Sequence, residues 1–154
     1  MESVVKIASY ICQRYQKDFG TRIDEMKLHK LLYFVQRECI IQTGKPMFAD
    51  NFVAWKYGPV LECIRSLYKS DLLTDTLSDD AIARYESIFD KIFSTYAPKT
   101  SMSLSILSHN EYSWRHARQG LTPDARCDVH IDIQDIEKDA ERIKVRRFLL
   151  NRLG

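Results

Sequence analysis

Nucleophilic catalysis by a serine needs its hydroxyl beside a histidine base, with a third group to orient that base. The nearest approach to this in the 154-residue chain is Ser105 with His109, four apart and so neighbours on a helix face, with Ser108 between them. No glycines of a nucleophile elbow surround them, so the pair is the seed of a small hydrolase or transferase without its frame. The other histidines, His29, His116 and His130, form no HExxH pair. His109 and His116 are separated by an expected helix break near 110–113. Cys12, Cys39, Cys63 and Cys127 never form the close pair that organises zinc, and Cys12, Cys39 and Cys63 fall on apolar helix stripes, which predicts buried thiols. The glycines have no phosphate-cradling spacing, and Asp79-Asp80 suit a helix start as well as acid–base work. Neither a metal nor a cofactor is expected.

Charge narrows the choice of partner. Lys and Arg total 23 against 21 Asp and Glu, a net +2, which argues against whole-protein attraction to nucleic acid. The lopsided stretch is C-terminal, where Arg142, Lys144, Arg146, Arg147 and Arg152 stand against Glu141 alone. It reads as a solvated face complementing the negative helix end, or as a contact for an acidic partner or a phosphate backbone. No reading-head motif accompanies it. No signal-peptide pattern and no apolar run of bilayer length is visible, so a soluble, cytoplasmic protein is expected.

The elements that must position these residues are mostly helical. Val4, Ala8, Ile11 and Tyr15 mark a helix over 2–19, with Ser3 as N-cap and Gly20 as terminator. Asp24 starts a second over 24–43 that is apolar almost all round, the mark of a central helix, ended by Gly44. Residues 52–57 are β-branched and aromatic and predict a strand, which Gly58-Pro59 stops, with Pro59 in the first turn of a third helix. Ser78 opens a fourth helix that keeps its period to Pro98; a fifth covers 101–108, a turn follows at 113–118, and the last helix spans 134–152. Residues 128–133 alternate polar and apolar, predicting a second strand with one buried face that pairs with 52–57. The expectation is a mainly α chain: one compact domain over 1–154, of about six helices with a small two- or three-stranded β-sheet.

Three segments, in order, resemble the Panacea (SocA-like) antitoxin domain family. They are Met26-Lys27-Leu28-His29-Lys30-Leu31-Leu32-Tyr33-Phe34-Val35-Gln36, then Phe52-Val53-Ala54-Trp55-Lys56-Tyr57-Gly58-Pro59-Val60, then Leu104 to His109 with Ser113-Trp114-Arg115-His116-Ala117-Arg118. His29 stands where the family commonly has glutamine, Ser108 where it has threonine, and Tyr112-Ser113 where a proline is frequent before the tryptophan. The resemblance implies a helical, non-enzymatic antitoxin of a bacterial or phage type II toxin–antitoxin system, neutralising a cognate toxin by direct binding. A relative's role as an adaptor delivering its toxin to an AAA+ protease is the alternative it carries. Aromatic and arginine side chains anchor interfaces, which makes Trp55, Tyr57, His109, Trp114, Arg115 and Arg118 the candidate partner-binding residues. Core packing beside Gly58-Pro59 is the competing reading for Trp55 and Tyr57, and Lys30, Arg115 and Arg118 are equally suited to a carboxylate inside the domain.

Overall fold

The computed structural model describes residues 1–153. Helix α1 (Val4–Phe19) begins where the Ser3 side chain accepts the Lys6 N–H, and stops at Gly20, whose φ of 72° is left-handed. Helix α2 (Glu25–Thr43) is capped by Asp24 through the Lys27 N–H, and it too stops at a left-handed glycine, Gly44. Every α2 residue from Lys27 to Ile40 is buried, because α1, α3, α5, α6, α8 and the sheet all pack around it. A helix that is apolar almost all round and enclosed in this way is the centre of the core.

The sheet is a hairpin, β1 (Val53–Trp55) against β2 (Gly58–Val60), antiparallel, with Ala54 facing Pro59 and Trp55 facing Gly58. Two expectations are corrected here. Pro59 lies in a strand, not in a helix, and α3 (Glu62–Lys69) starts later. Residues 128–133 form no strand: they meet β1's other edge at one antiparallel bridge, Val53 to His130, with Ala54 N–H donating to Val129 and Ile131 N–H to Phe52. Ile131 of that run is buried in the core and Ile133 packs partly against it, while Val129 is exposed. The run ends quickly because Asp132 accepts the Gln134 N–H at 2.8 Å and turns the chain into α8 (Ile133–Leu153).

The mainly helical architecture with a small sheet is as expected, with eight helices among the described residues. The fourth predicted helix is interrupted at Tyr85 (φ −106°, ψ 16°), giving α4 (Asp79–Arg84) and α5 (Glu86–Thr95). Backbone bonds Tyr85 to Ala81 and Phe89 to Tyr85 continue on either side, so the break is local. Helix α6 (Ser101–His109) is capped by Thr100, and 112–117 is a short helix, α7 (Tyr112–Ala117), not a turn. All four cysteines are free, with Cys39 and Cys127 buried and Cys12 partly so; Cys63 is exposed, contrary to its expected place on an apolar stripe. No described helix is long and apolar enough to cross a membrane.

Candidate functional site

The hairpin is held by side chains converging on its carbonyls. Arg118 donates to Ala54 O at 2.9 Å, the Trp114 indole to Trp55 O at 2.8 Å, Ser105 to Tyr57 O at 2.7 Å, and the Lys30 ammonium to Pro59 O at 3.2 Å. Just beyond, the Leu61 N–H donates to His29 Nδ1 at 3.2 Å. Backbone groups in a loop-rich region must find partners or lose their hydration at a cost of about 1–3 kcal/mol each. Here α2, α6 and α7 supply those partners.

Gly58 explains why the turn must carry a glycine. Its φ is 116°, and a Cβ there would lie 2.4 Å from Ser108 Oγ and 2.6 Å from Lys30 Cε. The hairpin therefore sits on α6 and α2 with no room for a side chain. Gln36 does the same service for the preceding loop, donating to Phe48 O and accepting the Met47 N–H, both at 2.8 Å.

With its backbone held from behind, the hairpin shows three side chains: Trp55 is half-buried, Lys56 is exposed and Tyr57 is 49% exposed. Core packing is thus corrected as the reading for Tyr57. Beside the tip lies a cleft of about 580 Å³, in the range of ligand-binding clefts. Met26, Trp55, Tyr57, Val60 and Cys127 give it apolar walls, and Glu25, Lys56, Arg65, Asp124, Arg126 and Asp128 line it with charges of both signs. The Arg65 guanidinium lies 4.9 Å from the centre of the Trp55 ring and 3.7 Å from Glu25, which also meets Lys69. Arg118 shapes the far wall by also donating to Thr122, Pro123 and Ala125 carbonyls, while its guanidinium covers the Trp114 ring.

Burial sets the electrostatics of the cleft floor. The His29 ring is held near pKa 3 by burial, then by the Lys30 and Arg65 charges. It is therefore neutral, and its 3.2 Å contact with Glu25 is a hydrogen bond from Nε2, not an ion pair. The Lys30 ammonium is lowered to about 7, also by burial, against the raising pull of Glu25 and Asp24.

The candidate residues thus separate. Trp55 and Tyr57 line the cleft, Trp114 and Arg118 hold the hairpin from behind, and Arg115 is exposed with no ion pair among the described residues. His109 stacks on Trp114 at 4.2 Å, its buried Nε2 has no hydrogen-bond partner, and burial lowers its pKa despite the nearby Lys56 backbone. Ser105 gives its proton to Tyr57 and makes no bond to His109. His116 lies apart from His109, bonded to Asp135. Neither Lys30 nor Arg118 reaches an internal carboxylate; both bind carbonyls. Lys56 and the 124–128 wall carry little signal in the sequence beyond a cation between two aromatics.

A second buried polar cluster adjoins this one. Glu111 accepts from Arg37 and, at 2.9 Å, from Arg142, while Asp139 accepts the Tyr112 and Ser113 N–H groups at 2.9 Å and so caps α7. Tyr33 is bonded to Ser113 at 2.7 Å and lies 3.4 Å from both carboxylates. Burial raises the Glu111 carboxyl, with Arg37 opposing, and raises the Tyr33 phenol, with both carboxylates adding to it. Of the basic C-terminal side chains, Arg142 belongs to this cluster and Arg147 forms a two-pronged pair with Glu38 at 2.8 and 2.9 Å. No group of three or more potential metal ligands occurs among the described residues.

No curated protein and no solved structure matches the chain. The family model described as antitoxin SocA-like, Panacea domain, matches residues 28–115, a span that runs from α2 through the hairpin to α7. The chain belongs to the SocA-like antitoxin, Panacea domain family.

Proposed function

We propose that this protein neutralises a cognate toxin by direct, stoichiometric contact, and that the contact face is the hairpin tip with the cleft beside it. The observation that carries the reading is the division of labour around the hairpin. Lys30, Ser105 and Trp114 of the family-matched segment, with Arg118 just past it, are spent on its carbonyls, while Trp55, Lys56 and Tyr57 are left facing outward. An aromatic pair on a fixed backbone, beside an apolar cleft lined with charge, has the form of an interface hot spot. Ser105 and His109 fit this reading as supports, since the serine proton is committed to the backbone and the imidazole is stacked.

The test is co-expression with the product of the adjacent reading frame in the source genome. Growth arrest by that product should be relieved by the wild-type chain and no longer by Trp55→Ala/Tyr57→Ala. In the purified system, inhibition should saturate at a fixed molar ratio. Neutralisation of many toxin molecules per chain would instead indicate catalysis and overturn the binding reading.

A further inference from the structure

Helix α8 carries a second surface that the hairpin face does not use. Its domain side is set by Ile136, Asp139 and Ala140, which are buried, and ends at Arg147, bound to Glu38. At 3.6 residues per turn, Glu141, Val145, Phe148, Leu149 and Arg152 fall within about 100° of one another on the opposite side. That side is in solvent: Val145 is 47%, Phe148 59% and Leu149 54% exposed, and Leu150 and Leu153 extend apolar surface around the last turns. Contiguous exposed apolar side chains of this size mark an interaction surface. Glu141 and Arg152 bracket the apolar centre three turns apart, and neither forms an ion pair among the described residues; Arg152 lies only over the Phe148 ring, at 5.3 Å.

We infer that this stripe docks a second copy of the chain, α8 against α8 in antiparallel sense. The charges choose the occupant and its register. The alignment that sets Val145 opposite Phe148 of the second copy also sets Glu141 opposite its Arg152. The two-fold axis repeats both pairings, so the apolar centre is closed at each end by an ion pair. A parallel alignment would place Arg152 beside Arg152. Because the stripe is opposite the domain side of α8, the two domains lie on outer sides of the helix pair and leave both hairpin faces open. Lys144 and Arg146 flank the stripe and extend into solvent. Their like charges, with a contact at the small end of protein interfaces, make the dimer weak.

Sedimentation equilibrium on the full chain, from micromolar to millimolar concentration, tests this. The wild type should pass from monomer to dimer. Phe148→Glu should stay monomeric with an unchanged far-UV spectrum and thermal midpoint, since the side chain is exposed. Glu141→Arg and Arg152→Glu should each weaken dimerisation about tenfold, and the double variant should recover most of that loss. A wild type that stays monomeric at millimolar concentration overturns the inference. So does a dimer indifferent to Phe148→Glu, and a double variant weaker than either single one overturns the register. If the monomeric wild type floats with phosphatidylserine vesicles, or if Phe148→Glu abolishes neutralisation without any dimer to lose, the stripe belongs to a membrane or to the toxin. None of these outcomes depends on the hairpin face, whose failure is read separately from the Trp55 and Tyr57 variants.

Discussion

Two polar clusters share one stripe of α2. Lys30 serves the hairpin, while Tyr33 and Arg37, three and seven residues on, serve the carboxylates Glu111 and Asp139. The side chains that hold the hairpin, Lys30, Ser105, Trp114 and Arg118, bind main-chain carbonyls and not carboxylates, so each bond fixes the path of the chain. The second cluster is ionic, and it fastens α7 and α8 to α2. One arrangement therefore shapes a surface and the other holds the core together. Removing a partner should cost more in the ionic cluster, where it strands a buried charge, and should matter more to function in the hairpin cluster.

The largest effect that separates the two clusters is on stability. Glu111→Gln leaves Arg37 buried without its counter-charge and should lose about 3–5 kcal/mol in urea unfolding, with the hairpin face unaltered in whatever fraction stays folded. Gly58→Ala comes next, because it combines a left-handed backbone with contacts at 2.4 and 2.6 Å. It should cost about 2–4 kcal/mol and, unlike Glu111→Gln, should impair neutralisation even under conditions where the protein is folded.

Acid and alkali distinguish the clusters as well. His29, near pKa 3 when folded against an ordinary 6.5, takes up a proton on unfolding between those values, so its contribution to stability falls as pH drops from about 6.5 toward 3. Lys30, near 7 against 10.5, works in the same sense one window higher, so stability should rise as pH goes from about 7 to 10.5. Glu111 opposes them just above its ordinary 4.5, since its folded carboxyl holds its proton longer. Each group contributes at most roughly 1.4 kcal/mol per pH unit, and Lys30→Met should flatten the upper slope of a thermal-midpoint profile. The smallest of these effects is Trp114→Phe, which forfeits one indole bond to Trp55 O and should cost about 1–2 kcal/mol by thermal unfolding.

The parts of this molecule that are legible in the sequence are those governed by neighbours in the chain. Ser3, Gly20, Asp24 and Gly44 bound α1 and α2 through bonds spanning three or four residues, and the apolar residues found almost all round α2 announce its central place. The hairpin was hidden because Lys56-Tyr57 has none of the usual turn residues, and Gly58-Pro59 reads as a stop. Pro59 is tolerated in β2 because it faces Ala54, whose own N–H is committed to Val129 on the other side. The site was legible in its residue types and not in their roles. Trp114, Ser105 and Arg118 reach carbonyls 48 to 64 residues away, and no local pattern reports such a bond. The contact of Tyr33 with Asp139 spans 106 residues.

The measurement closest to the central claim compares Tyr57→Ala with the wild type in both toxin affinity and thermal midpoint. The side chain is half in solvent while its carbonyl is the group held by Ser105, so the fold should lose no more than about 0.5 kcal/mol. Affinity for the adjacent-frame toxin should fall by about 2 kcal/mol or more, roughly thirtyfold. An unchanged midpoint with unchanged affinity and full neutralisation would contradict the account, because Tyr57 is the more exposed of the two aromatics that the hairpin presents.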